Sequence, residues 1–127
     1  MIFVFLAFKL KKVSRDEETK QNWENIQKEI SQKFGGGETM GVDAIIYLIG
    51  IQELGQGFRK NSKDDKLDIM HIAICKLLEP FGFYEFDFFD TQGWPHYKVI
   101  DELPNLKPGE QSVLMKEAIV MYFENRK

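Results

Sequence analysis

Residues 83–97 read FYEFDFFDTQGWPHY, and this run distinguishes the chain from a purely helical bundle. Its first half alternates aromatic and acidic side chains at a period of two, which is typical of a β-strand with one buried face. Residues 90–93, Asp-Thr-Gln-Gly, form a turn sequence, because aspartate suits the first position of a tight turn and glycine the last. Apolar residues follow the turn, so the pattern predicts a β-hairpin over about residues 84–100.

The predicted hairpin region is rich in aromatic residues, with eight of the seventeen in the chain between Phe81 and Tyr97. So much rigid apolar area either seals a core or contacts a partner. From the period-two pattern we expect the aromatic residues of the first strand to pack on the helices: Tyr84, Phe86 and Phe88. The side chains near and beyond the turn are then the candidates for partner or ligand contact: Asp90, Trp94, His96 and Tyr97.

Helix signals divide the rest of the chain into four segments. A capping box at residues 14–17 predicts the start of the first helix, and the glycines at 35–37 predict its end. A second helix is predicted over residues 44–54 and a third over residues 62–79, and the last begins at about residue 110. The predicted fold is therefore mainly α, a small bundle of about four helices with one β-hairpin packed on it.

The N-terminal residues 1–8 are uninterrupted apolar sequence and are followed by three lysines within four positions. The run is too short to span a bilayer, which takes about 20 apolar residues, and a secretory signal would place its positive charge first. Its β-branched and aromatic content favours a buried strand or a docking segment, and such a strand would join the hairpin. A membrane-surface anchor over residues 1–12 is the less favoured alternative, because the apolar segment is short and lacks helical periodicity.

Length, charge and cysteine content narrow the class of protein. A chain of 127 residues is predicted to form a single domain over residues 1–127. The formal charge is −3 and the lysines are scattered among acidic residues, so no basic face for nucleic acid is expected. The single cysteine, Cys75, cannot form an internal disulfide, and its apolar neighbours favour a buried thiol in a reducing compartment, the cytoplasm.

The third predicted helix carries four chemically versatile side chains along one stripe: Asp64, Asp68, His71 and Cys75. Asp68 and His71 have the spacing with which helical bundles present a carboxylate and an imidazole to a metal, so they are the metal candidates. A di-metal site would need a second such pair, which the sequence lacks. The structural alternative is that the aspartates face water, that His71 is a hydrogen-bonded core residue and that Cys75 is a small hydrophobe.

A second set of polar groups lies in the hairpin, where His96 is close in sequence to Asp90 and to the acidic residues of the first strand. A histidine within reach of a carboxylate can take part in general acid–base catalysis. No serine, threonine or cysteine nucleophile has an evident place beside this pair, so an acyl-transfer triad has no support. We therefore predict no catalytic residues and no cofactor.

The sequence favours a non-catalytic interaction or regulatory domain that binds a protein partner, with a homodimer as one form. The predicted second and third helices are apolar nearly all round, and so short a chain offers few internal partners for such surfaces. The alternative is an enzyme, or a protein that binds a small ligand or a metal, using His71 or His96 with nearby carboxylates. No specific small molecule is indicated.

Overall fold

A computed structural model of the protein describes residues 2–55 and 63–125, with side chains described from Glu17 onward. Four helices and two strands follow one another along the chain: α1 (Ile2–Phe34), α2 (Val42–Leu54), α3 (Lys63–Leu78), β1 (Tyr84–Phe89), β2 (Pro95–Val99) and α4 (Pro108–Glu124). The strands form an antiparallel hairpin. The predicted fold class, mainly α with one hairpin, is confirmed.

The N-terminal segment differs from its prediction, because α1 begins at Ile2 and runs without a break to Phe34. Both the strand over residues 1–8 and the helix start at residue 14 were therefore wrong predictions. The sequence contains no glycine or proline before residue 35, and the residues around Ser14 are mostly good helix formers. The helix therefore continues through the capping sequence. Within the described ranges, no helix combines the length and apolar character needed to cross a membrane.

The chain divides into two compact units, which are described separately: Met1–Val42 with Leu103–Lys127, and Asp43–Glu102. The prediction of a single domain stays a prediction. In the first unit α1 packs against α4. Each helix carries buried residues spaced three or four positions apart, Trp23, Ile26 and Ile30 on α1 and Leu114, Ala118 and Tyr122 on α4, and Ile119 and Val120 of α4 are buried as well. The glycines that follow α1 have positive φ at Gly36 and Gly37, which ends the helix as predicted.

The second unit, Asp43–Glu102, contains α2, α3 and the hairpin. Helices α2 and α3 meet where Gly50 faces Ile69, and a Cβ at Gly50 would clash with the Ile69 carbonyl group. Ile69 is fully buried and forms a cluster with Ile51 and Leu54. Since glycine is the only residue that permits this approach, Gly50 fixes the depth at which α2 packs on α3.

The hairpin turn follows its prediction closely. The backbone N–H of Asp90 donates to the carbonyl oxygen of Trp94 at 2.9 Å, and that of Gly93 donates to the carbonyl oxygen of Asp90 at 3.0 Å. Gly93 has a φ of 83°, as expected where a type I turn ends in a left-handed residue. Helix α3 packs on both strands of the hairpin. The side chains of α3 therefore lie next to those of the hairpin turn.

The strand pairing contains a β-bulge that the period-two pattern did not predict. Phe86 pairs with Tyr97 and Phe88 pairs with His96, so Asp87 is the extra residue of β1. Because His96 and Tyr97 are consecutive in β2, their partners Phe86 and Phe88 lie on opposite faces of the hairpin. The prediction that both pack on the helices was wrong, since Phe86 is 38% and Phe88 50% exposed.

Candidate functional site

A cleft of about 430 Å³ lies between α3 and the hairpin, within the second unit. Several polar and aromatic side chains line it: Asp65, Asp68, His71 and Cys75 from α3, and Asp90, Trp94, His96 and Tyr97 from the hairpin. The volume falls in the range of roughly 300–1,000 Å³ that is usual for small-molecule sites. All six predicted site residues are among these lining residues, so the fold brings the two predicted sets together.

Asp90 organises the turn at one end of the cleft. Its Oδ1 accepts the backbone N–H groups of Gln92 at 2.9 Å and Trp94 at 3.0 Å. Its Oδ2 lies 2.9 Å from Nε2 of His96, and because an ionised carboxylate can only accept, the imidazole N–H is the donor. The hydrogen bond from His96, followed by that from Trp94, lowers the pKa of Asp90 below its ordinary value.

His96 is held on two sides. In addition to the bond to Asp90, its ring stacks on that of Phe88, with centroids 4.7 Å apart and an interplanar angle of 2°. The donation from Nε2 leaves Nδ1 of the neutral ring as a hydrogen-bond acceptor. The His96 side chain is 48% exposed, so an oriented imidazole acceptor faces the water at the edge of the cleft.

Cys75 has the properties of a core residue rather than of a nucleophile. Its side chain is buried, and burial raises its pKa to about 11, so the group is a protonated thiol at neutral pH. Its Sγ lies 3.5 Å from Nε2 of His71. The alternative view of His71 as a core residue was wrong, because His71 is exposed, with its ring in an edge contact with Tyr84.

Two half-buried aromatic side chains, Trp94 and Tyr97, line the cleft. Trp94 is half-buried and packs against the cluster that contains Ile51, Leu54 and Ile69. Tyr97 is also half-buried, and burial raises its pKa to about 12, so its hydroxyl stays protonated and can donate a hydrogen bond. Trp94 thus contributes an aromatic surface fixed by the core, and Tyr97, whose ring contacts that of Phe86, adds a second aromatic side chain to the cleft.

The structure places the metal candidates without assembling a full ligand set around them. Asp68 and His71 both line the cleft. Across the part of the chain that the structure describes, no group of three His, Cys, Asp or Glu side chains is placed to hold a metal ion. Metal binding by Asp68 and His71 stays a prediction that would need a ligand from elsewhere.

Two polar lining residues, Asp65 and Gln92, were absent from the predicted site residues. Asp65 could have been found by continuing the helical stripe through positions three and seven residues apart, since it precedes Asp68 by three and Ile72 by seven. The predicted stripe instead began at Asp64, which does not line the cleft. Gln92 offers no comparable signal, because a glutamine in a turn is most often a solvated residue.

A second surface feature lies on the hairpin itself and is called here the hairpin apolar surface. It comprises four side chains that are between 38% and 63% exposed: Phe86, Phe89, Val99 and Ile100. The ring of Phe86 contacts those of Phe89 and Tyr97, with centroids 4.9 and 5.9 Å apart. Its rings are therefore already packed against one another in the free protein.

No protein-family model, curated protein or solved structure matches this chain.

Proposed function

We propose that the protein is a non-catalytic interaction domain that binds a protein partner through the hairpin apolar surface. The observation that carries the proposal is the exposure of that surface, where Phe89 and Val99 are 63% and 62% exposed. Large exposed apolar patches are uncommon on monomeric proteins, and where they occur they often mark interaction sites. Aromatic side chains supply much of the binding energy at such sites.

The β-bulge supports this proposal by accounting for how the patch arises. A regular strand would have placed Phe86 and Phe88 on one face, whereas the bulge at Asp87 sends them to opposite faces and groups Phe86 with Phe89. The ring contact between Phe86 and Phe89 holds both side chains in place before any partner binds. Less side-chain entropy is then lost on association, so a pre-packed patch binds more tightly than a loose one.

The chemistry of the cleft supports the non-catalytic part of the proposal. Cys75 is protonated and buried, so it is not an activated nucleophile. His96 is oriented by Asp90, which matches two members of a catalytic triad, but no described serine, threonine or cysteine is hydrogen-bonded to it. The free, buried thiol also supports the proposed location in a reducing compartment, the cytoplasm.

A second copy of the chain is the first partner to test, because a homodimer forms from the purified protein with no other protein present. Sedimentation velocity over a wide concentration range should show association of the wild-type protein and its loss in a variant with Phe89→Ser and Val99→Ser. Both side chains are exposed, so the variant should keep its fold. The matched control is Leu67→Ser, which removes an equally exposed apolar side chain (59%) from α3.

The same three proteins test a partner other than a second copy. The tagged wild type and the Leu67→Ser control should retain a protein partner that the Phe89→Ser, Val99→Ser variant loses. The proposal is wrong if the wild type is monomeric at every concentration tested and neither the wild type nor the Leu67→Ser control retains a protein that the double variant loses. An equal loss of binding in the Leu67→Ser control would also contradict it, because the effect would then not belong to the hairpin.

A further inference from the structure

In the two-stranded hairpin, the outer edge of β1 is closed by a side chain. Oε2 of Glu79, the residue that follows α3, accepts the backbone N–H of Phe86 at 3.1 Å. Oε1 of the same carboxylate lies 3.5 Å from Nζ of Lys76, an ion pair that orients it. Another strand could approach β1 only by displacing this carboxylate, and proteins commonly protect a sheet edge by covering it.

The hydrogen bond of Phe86 also shows which backbone groups of β2 point outward. Its N–H points away from β2, so Phe86 and its partner Tyr97 form a non-hydrogen-bonded pair of the antiparallel ladder. Such pairs alternate with hydrogen-bonded ones, so Val99, two residues on, also directs its N–H and C=O away from β1. The N–H of Ile100 donates to the carbonyl oxygen of Phe83 at 3.0 Å, as this alternation requires at the next position.

The outer edge of β2 is open in the described part of the chain. There, no loop or side chain is hydrogen-bonded to the outward backbone groups of Tyr97 and Val99. Val99 is 62% exposed and residues 94–97 border the cleft, so each half of the strand lies next to open space. The edge thus presents N–H and C=O groups on alternate residues, the arrangement that an extended chain matches.

We propose that the protein partner adds an extended segment to this edge as a third, antiparallel strand. The inference rests on the proposed function and names how the partner binds. Backbone hydrogen bonds to Tyr97 and Val99 supply affinity, and alternate side chains supply specificity. By the register, Phe86, Tyr97 and Val99 share one face, so apolar side chains of the added strand extend the hairpin apolar surface there. An acidic side chain lies beside Lys98 on the other face, and the segment reads apolar, acidic, apolar.

A second copy of β2 fits this edge less well than a segment of another protein. Symmetric pairing about Lys98 would place two lysines directly opposite each other, which destabilises a ladder. Pairing about Tyr97 would place Val99 opposite Pro95 of the second copy, which has no N–H to donate. Pairing about Val99 would need an outward N–H at Asp101, and that N–H instead donates within the hairpin segment at 3.4 Å.

Peptide probes test the mode of binding by NMR titration of the full chain. The parent probe is the acetylated, amidated peptide Val-Glu-Val-Glu-Val-Glu. Residues opposite Tyr97 and Val99 in hydrogen-bonded pairs share the apolar face, so the valine N–H groups face β2 and the glutamate N–H groups face away. N-methylation of all the valines should therefore abolish binding, whereas N-methylation of all the glutamates should preserve it. Replacing every glutamate with lysine should weaken binding about fivefold, as loss of a cross-strand charge pair does.

A pair of variants tests the same edge from the side of the protein. Val99→Pro removes an outward N–H and leaves the ladder to β1 intact, whereas Val99→Thr keeps that N–H and is the matched control. We expect Val99→Pro to weaken binding of the parent peptide by about tenfold or more and Val99→Thr to change it little. Equal binding by the two folded variants would contradict strand addition.

Amide hydrogen exchange in the free protein tests the geometry of the edge before any peptide is added. Lys98 forms a hydrogen-bonded pair with Glu85 by the alternation, whereas the N–H groups of Tyr97 and Val99 point outward. We expect Tyr97 and Val99 to exchange about tenfold faster than Lys98 or more. Both should become protected when the parent peptide binds, with the largest NMR shifts in residues 96–100.

Three further results would overturn the inference. They are equal exchange of Tyr97, Lys98 and Val99 in the free protein, no shift in β2 with millimolar parent peptide, and equal binding of the two N-methylated peptides. Protection of Tyr97 and Val99 that rises with protein concentration would also contradict it, because the occupant would then be a second copy. Each can occur while the Phe89→Ser, Val99→Ser variant still loses its protein partner, so failure of strand addition is distinguishable from failure of the proposed function.

Discussion

Replacing Gly50 with alanine should destabilise the protein, although alanine is the better helix former. Gly50 lies within α2, and in an exposed helix interior the change from glycine to alanine stabilises by about 1 kcal/mol. Here the new Cβ would clash with the carbonyl oxygen of Ile69 and would lie 2.9 Å from its carbonyl carbon. These are backbone atoms of α3, which cannot rotate away as a flexible side chain can.

The expected size of the effect follows from these two opposing contributions. Forcing extra volume into a packed core costs roughly 1–3 kcal/mol, and a clash with backbone belongs at the upper end of that range. After subtraction of the propensity gain of about 1 kcal/mol, the net loss in the free energy of unfolding is about 2 kcal/mol. For a chain of this length such a loss lowers the melting temperature by about 8 °C.

Thermal and urea denaturation followed by circular dichroism measure this change. Gly109→Ala is the matched control, since Gly109 lies in the first turn of α4 and an added Cβ there would meet nothing within 4 Å. We expect the control to be neutral or slightly stabilising. A Gly50→Ala variant that is at least as stable as the wild type would refute the close packing of α2 on α3.

Two further predictions concern single groups of the cleft. Because the pKa of Asp90 is lowered in the folded protein, its contribution to stability is fully present above its ordinary value of about 3.9 and is lost as the pH falls through the lowered value. Asp90→Asn should therefore flatten the acid limb of a stability–pH curve, and an unchanged acid limb would contradict the hydrogen bonds to Asp90. Cys75 should react with a thiol reagent such as 5,5′-dithiobis(2-nitrobenzoic acid) only slowly at pH 8 and rapidly in denaturant, because its pKa is raised to about 11 by burial. A native rate as high as that of an exposed thiol would show that Cys75 is accessible.

Most of the fold could be predicted because particular residues mark the ends of its helices and the turn of its hairpin. The glycines after Phe34, the proline after α3 and the turn at Asp90 each end or reverse an element for a local steric reason. The start of α1 was missed because a capping sequence permits a helix to begin without requiring it, and nothing before Ser14 breaks the helix. Where no glycine or proline ends a helix, the position of its end depends on contacts with other parts of the molecule.

The hairpin shows where a local pattern misleads. Alternation in β1 indicated one buried face, but a single bulge at Asp87 transfers Phe88 to the opposite side of the sheet. A bulge depends on how two strands pair, so the sequence of one strand does not reveal it. As a result, Phe86 and Phe88, which were expected to share the buried face, lie on opposite faces and are both exposed.

The candidate site was predicted as two separate sets, and their meeting could not be inferred from the sequence. Asp68 and His71 lie on α3, whereas Asp90, Trp94 and His96 follow in the hairpin about twenty residues or more along the chain. Helical and strand periods state which residues share a face of one element. Only the packing of α3 on the hairpin makes these faces the walls of one cleft.

The central claim is that the hairpin apolar surface contacts a protein partner, and a photo-crosslink tests it most directly. The photoreactive residue p-benzoylphenylalanine is introduced in place of Phe89, or in place of Leu67 as the equally exposed control on α3. We predict that irradiation of the first protein yields a covalent adduct with a second copy or another protein, and that irradiation of the second yields none. The absence of an adduct at position 89, or equal adducts at both positions, would contradict the claim.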